Sequence, residues 1–204
     1  MESGSNVTQI ENSVITDGRT ARRDLNRLRV LDACIEIFTA GGLPTPEDVA
    51  TLSGVSLRSV YRYFDDRDGL IRAAIDHQAS KLADMTEIPS HGHGNLTERI
   101  AGICATRVNL FFQTGQMYRA ARAAATGNPV IEQRLFENRD ALHGQVLSHF
   151  ATEVAAGYDV SMVDTLLSFD SLDYLQSALG KSKKEIITSL RHALHQLFDE
   201  TEIS

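Results

Sequence analysis

TPEDVATLSGVSLRSVYRYF, residues 45–64, reads as two short helices joined by a tight turn. Thr45 is placed as an N-cap, because its hydroxyl can accept from the N–H groups left free at a helix start. Pro46 follows at the first helical position, where a missing N–H costs nothing. Glu47 and Asp48 put negative charge at the positive end of the helix dipole. Val49, Ala50 and Leu52 supply a small apolar face, and Gly54 can stop the helix in a left-handed conformation. Ser56 then caps a second helix, with Leu57, Val60 and Phe64 on one side and Arg58, Ser59, Tyr61 and Arg62 on the other. A capped helix, a glycine turn and a second helix tipped with Ser and Arg match a helix-turn-helix, whose second helix enters the DNA major groove. Any two-helix corner with a polar outer face shares part of this pattern.

Working outward, an N-terminal segment of residues 1–18 is polar and without periodicity, and is expected to be disordered. Five arginines against one acid follow between Arg19 and Arg29; Arg22 and Arg23 are placed to lie along phosphates or reach into a minor groove. A first helix is expected over about 24–40, with Leu28, Leu31, Ile35 and Phe38 at three- and four-residue spacing and Leu25 and Cys34 beside them. Gly41-Gly42 ends it. A fourth helix is expected over 67–86, capped by Asp66. The loop after it holds His91 and His93, too few ligands for a structural or catalytic zinc site.

The rest of the chain reads as helix throughout. A fifth helix starts at Asn95 or Thr97, and a bend at Gly115 separates it from a sixth over 116–126. Gly127-Asn128-Pro129 restarts the chain for a seventh over 129–155. The last two are expected over 161–179 and 182–200. The first of these carries apolar residues on more than one stripe, and the second shows one clean face of Ile186, Ile187, Leu190, Ala193, Leu194 and Leu197. The fold class is therefore all-α, with about nine helices and no strand-like alternation.

The 204 residues carry a net charge of −7, which argues against a protein that coats nucleic acid non-specifically. The charge is uneven: residues 19–72 sum to +1 and residues 73–204 to −5. No nucleophile motif, phosphate-cradling glycine loop or metal-ligand set is present, so neither an enzyme nor a bound cofactor or metal is expected. Cys34 and Cys104 fall on apolar helix faces as reduced thiols. No signal-like or membrane-spanning run is found, and the chain is expected to be cytoplasmic.

Val55-Ser56, then Arg58-Ser59-Val60-Tyr61 and Tyr63-Phe64, resembles the recognition-helix signature of the tetracycline-repressor (TetR) family of regulators. Asp48-Val49-Ala50 and Ser53-Gly54 fit that pattern in register. Arg67-Asp68-x-Leu70 is similar to the family's Lys-Glu-x-Leu, and Phe169-Asp170-Ser171-Leu172 resembles its Asp-Gly-Leu with Ser in place of Gly. The resemblance implies a three-helix DNA-binding domain over residues 19–66 and a ligand-binding and dimerisation domain over 67–204. It implies a repressor that binds a palindromic operator in double-stranded DNA as a homodimer through its last two helices. A small-molecule effector in the C-terminal domain would release it. A DNA-binding regulator without an effector, architectural or controlled by a protein partner, is the alternative.

Within that frame Arg58 is the residue expected to read a base, since arginine binds guanine O6 and N7 in a bidentate fork. Ser56, Ser59 and Arg62 share its face. The resemblance implies backbone or thymine contact for Tyr61 and phosphate contacts for Thr45 and Arg67. Candidate effector-site residues are Phe111, Phe112, Tyr118, Arg122, His143, Leu147 and Phe169, with Arg122 and His143 as the polar members.

Overall fold

The computed structural model describes the backbone of residues 5–89 and 91–199, and the side chains of that range from Gly18 onward. Among the described residues there are eleven α-helices and one π-helical turn, and no strand. The chain divides into two compact units, residues 1–78 and 79–204.

The first unit contains α1 (Ser5–Thr39), α2 (Pro46–Ser53), α3 (Leu57–Tyr63) and most of α4 (Arg67–Lys81). Of the segment expected to be disordered, residues 1–4 lie outside the described range; from Ser5 the backbone is helical, and the arginines at 19, 22 and 23 belong to α1. Nothing between Ser5 and Asp24 opposes this, since the stretch holds no proline and only Gly18, and extending an existing helix is far cheaper than nucleating one.

The buried stripe of α1 is rotated from the expected one. Val30, Leu31, Ala33, Cys34 and Phe38 face the core, whereas Leu25 and Leu28 are 58% and 41% exposed. Spacing alone could not separate these two overlapping stripes. Val49 from α2, Val60 from α3, Phe64 just after it, and Leu70 and Ala74 from α4 complete this core. Leu70 and Ala74 belong to it, and the division between the two compact units falls at Gln78 inside α4.

The second unit is built on α6 (Leu96–Ala125), a single uninterrupted helix. Asn95 and Glu98 form a reciprocal capping box at its start. The expected bend at Gly115 is absent. A Cβ there would come within 3.3 Å of the Phe111 ring, so this glycine makes room for an aromatic neighbour inside an unbroken helix. The other elements are α5 (Ala83–Thr86), α7 (Pro129–His149), α8 (Ala151–Ala155), α9 (Ser161–Leu167), α10 (Phe169–Asp173), the π-turn Tyr174–Ala178 and α11 (Lys183–Asp199).

Three expected helices are broken, at Leu82, Phe150 and Ser168, which raises the count above nine. Ser168 has extended backbone, ψ 151°, and its Oγ accepts from the Ser171 N–H at 3.2 Å, so it caps α10 where a continuous helix was expected. The core packs Ile100, Ile103, Cys104, Val108 and Phe111 of α6 against Val146, Phe150, Val163, Leu167 and Leu172. It is closed by the four-residue stripe Ile186, Leu190, Leu194 and Phe198 of α11. No helix among the described residues is long and apolar enough to cross a membrane.

Candidate functional site

The helix-turn-helix forms as the sequence dictates. Thr45 Oγ1 accepts from the Asp48 N–H at 3.1 Å and donates to Asp48 Oδ2 at 2.6 Å, fixing the start of α2. Gly54 stands at φ 68°, ψ 20°, the left-handed conformation that ends the helix at low cost. Ser56 Oγ accepts from the Ser59 N–H at 3.3 Å and begins α3. Val60, 1% exposed, and Phe64 turn inward, and this sets which residues face out.

Arg58, Tyr61 and Arg62 are exposed along the outer side of α3. Arg58 makes no hydrogen bond or ion pair with any described residue. Its fork is therefore available to an outside partner. Arg62 rests on the Tyr63 ring at 5.4 Å and reaches Ser59 Oγ at 3.5 Å. Tyr61, 48% exposed, directs its hydroxyl at Glu47 Oε1, 3.4 Å away, and the Glu47 charge pushes the phenol up from its ordinary value. Arg22 and Arg23 are exposed on α1.

Arg67, which the family resemblance implies as a phosphate contact, is half-buried and bonded within the first unit. Its Nε donates to the Pro44 carbonyl at 2.8 Å and its Nη2 to the Leu43 carbonyl at 3.4 Å. It fastens the turn that delivers Thr45 to the start of α2. Sequence reasoning missed this role, because the two carbonyls lie more than twenty residues upstream.

The effector-site candidates separate into three places. Phe111, Phe169 and Tyr118 pack edge-to-face, with ring centroids 5.4 Å and 5.3 Å apart. The break at Ser168 aims Asp170 at the same spot, where it accepts from Tyr118 Oη at 2.7 Å and from Arg122. Phe112 packs edge-on to Phe111 and carries Lys183 over its ring at 5.8 Å. His143 is elsewhere, with Nδ1 3.1 Å from Asp164 Oδ2, and Leu147 is 39% exposed. Phe111 is fully buried core, whereas Tyr118 and Arg122 are engaged with Asp170.

The histidine loop is tied to the end of α7. His149, 1% exposed, accepts from the Gly92 N–H at Nδ1 (3.1 Å), so its Nε2 carries the proton and donates to the Arg99 carbonyl at 2.9 Å. Burial, the largest influence, holds this imidazole below its ordinary value. Among the described residues no group of three metal-binding side chains occurs. Burial pushes both Cys34 and Cys104 up to about 12, which leaves two inert thiols.

No family model and no curated protein matches the chain in sequence. Solved structures do match. A TetR-family transcriptional regulator from Streptomyces coelicolor superposes with a TM-score of 0.61 at 20% identity, over 85% of this chain and 80% of that one. A Clostridium perfringens protein described as a regulator of fatty acid metabolism gives 0.59 at 14% identity, over 84% of this chain and 97% of that one. The capped α2–α3 corner, its three-helix support and the α6-centred second unit together constitute the fold of TetR-family transcriptional regulators.

Proposed function

We propose that the chain is a sequence-specific DNA-binding transcriptional regulator. It acts as a homodimeric repressor on a palindromic operator, and a small molecule bound in the second unit releases it. The observation that carries this reading is α3 itself: a helix capped by Ser56, held by Val60 and Phe64, and presenting an unpartnered Arg58 beside Ser59, Tyr61 and Arg62. That is the arrangement a major-groove reader needs. The acidic balance of residues 73–204 disfavours loose binding to arbitrary DNA and leaves affinity to a few local contacts.

Dimerisation through the last two expected helices is supported, on the first of them, by large apolar side chains left outside. Met162, Tyr174 and Leu179 are each more than half exposed. Two-fold pairing through these elements would place two copies of α3 about one DNA turn apart or somewhat more, and would require a palindromic site.

Selection of binding sites from a random DNA pool tests the reading, followed by affinity measurements on the enriched site and its point variants. Arg58→Ala should flatten the preference at one position of each half-site, by about 1–3 kcal/mol per contact. Tyr61→Phe should weaken all sequences alike. An unenriched pool would refute DNA recognition, and an unchanged preference in Arg58→Ala would refute the assignment of the reading residue. Loss of operator binding on adding a metabolite would separate the effector-controlled regulator from one governed by a protein partner.

A further inference from the structure

The loop that leads from α5 into α6 is tied to the end of α7 by two histidines, and the two ties differ in kind. His149, 1% exposed, uses both ring nitrogens: Nδ1 accepts from the Gly92 N–H at 3.1 Å, and Nε2 donates to the Arg99 carbonyl at 2.9 Å. Gly92 stands at φ 70°, in the left-handed region that favours glycine. Beside this tie, His91 Nε2 lies 3.0 Å from Ser148 Oγ. The Ser148 hydroxyl gives its own proton to the Gly144 and Gln145 carbonyls, at 2.9 and 3.2 Å, so its oxygen accepts from His91.

Acid therefore acts on one tie and spares the other. His91 donates when neutral and still donates when charged. His149 accepts at Nδ1, the nitrogen that an added proton must take, and a charged imidazole has two donors and no acceptor. Its Nδ1–H would then face the Gly92 N–H, donor against donor, in a place that water does not reach. Leaving such a group unsatisfied costs more than the hydrogen bond alone.

The charged and titratable groups around the ring come from three sides: Arg99 on α6, Glu153 on α8, and His91 in the loop with its ring centroid 5.1 Å away. Arg99 and Glu153 are committed to each other as a bidentate pair. His91 offers only a like charge, and Phe150 closes a further side edge-on at 5.0 Å. Burial, first among the influences, holds the ring below its ordinary value of 6.5, in the direction this geometry requires.

We propose that His149 is an acid-sensitive latch: a proton on Nδ1 expels the Gly92 N–H and releases the loop ahead of α6, while the rest of the second unit stays folded. The sign follows from linkage. The latched loop requires a neutral ring and the released loop accepts a charged one, so the latch holds fully above the ordinary histidine value and weakens as pH falls below it.

Amide hydrogen exchange of the full chain, followed by NMR and corrected for the intrinsic rate at each pH, tests this. Protection of the Gly92 amide should fall about tenfold from about pH 7.5 to about pH 5.5, one factor of ten for the unit below the ordinary histidine value. Gly92 should exchange faster than the core amides of Leu190 and Leu194 throughout, and dilute urea should not speed it, as for a local opening. His91→Gln should show the same fall. His149→Gln, which keeps one acceptor and one donor but does not titrate, should show none. In the wild type, the His149 ring nitrogens should titrate over the range in which Gly92 loses protection; this readout decides the matter if His149→Gln fails to fold.

Gly92 protection independent of pH would overturn the proposal. So would a fall that persists in His149→Gln or vanishes in His91→Gln, ring nitrogens that titrate in a different range, or a Gly92 amide that exchanges only together with Leu190 and Leu194.

Discussion

Replacing Glu153 by Gln should expose how much of the second unit depends on one buried pair. The Arg99 and Glu153 side chains are 8% and 12% exposed, and the guanidinium spends two of its nitrogens on the carboxylate. Glutamine keeps the volume and one acceptor oxygen. It removes the charge and points an NH2 group at a cation that has nothing to give it. Arg99 keeps the His149 carbonyl and the face of Phe150, 5.7 Å away, so its charge is not wholly abandoned. Breaking a buried pair from one side costs about 3–5 kcal/mol, and these remaining contacts place the cost near 3. For a chain of this size that is a fall in Tm of about 6–12 °C.

The same substitution should change the acid response. Hydrogen bonds from Arg99, first among several causes, hold the Glu153 carboxyl below its ordinary value of 4.5. A carboxyl with a depressed value in the folded state stabilises fully above the unfolded value and loses that contribution as pH falls through the folded one. The stability gap between wild type and Glu153→Gln should therefore be constant from pH 7 to about 5 and narrow below about 4.5. Urea unfolding at a series of pH values measures it. A gap of less than 1 kcal/mol at pH 7, or one that does not narrow in acid, would refute the claim that this pair is a net stabilising contact.

Gly144→Ala and Gly115→Ala should move in opposite directions although both glycines are mid-helix. Nothing lies within 4 Å of a Cβ at Gly144, so alanine should gain about 0.5–1 kcal/mol, whereas the fully buried Phe111 ring at 3.3 Å cannot yield to one at Gly115. Arg67→Ala should loosen the Leu43-Pro44 turn, lowering the stability of the first unit by about 1–2 kcal/mol and weakening operator binding without altering base preference; an altered preference would contradict a purely supporting role. For His149, nitrogen chemical shifts at pH 7 should show a neutral ring protonated at Nε2. Stability should decline as pH falls below about 6.5, since the unfolded chain takes up that proton first.

The parts of the fold legible in the sequence are those governed by local rules. Thr45, Pro46, Gly54 and Ser56 each act on backbone within a few residues, and all four stand where capping physics puts them. The all-helical class followed from periodicity in the same way. The misjudged features depend on partners distant in sequence. Gly115 resembles a bend signal until the Phe111 ring beside it is known, and Ser168 carries no mark of the break it makes, because a serine hydroxyl caps a helix only when the chain there is already turning. Leu25 and Leu28 look like core because the first helix was expected to be short and fully packed.

The outward-facing residues of α3 were legible for the same local reason, and the grouping of the interior candidates was not. The outer residues of α3 are those its inner stripe leaves over, so the inward Val60 and Phe64 determine that Arg58, Tyr61 and Arg62 face out. An interior site is defined by helices far apart in sequence, and the aromatic residues that line it share their spacing with ordinary core. Phe111 and Phe169 pack together, but His143 and Leu147 are placed elsewhere.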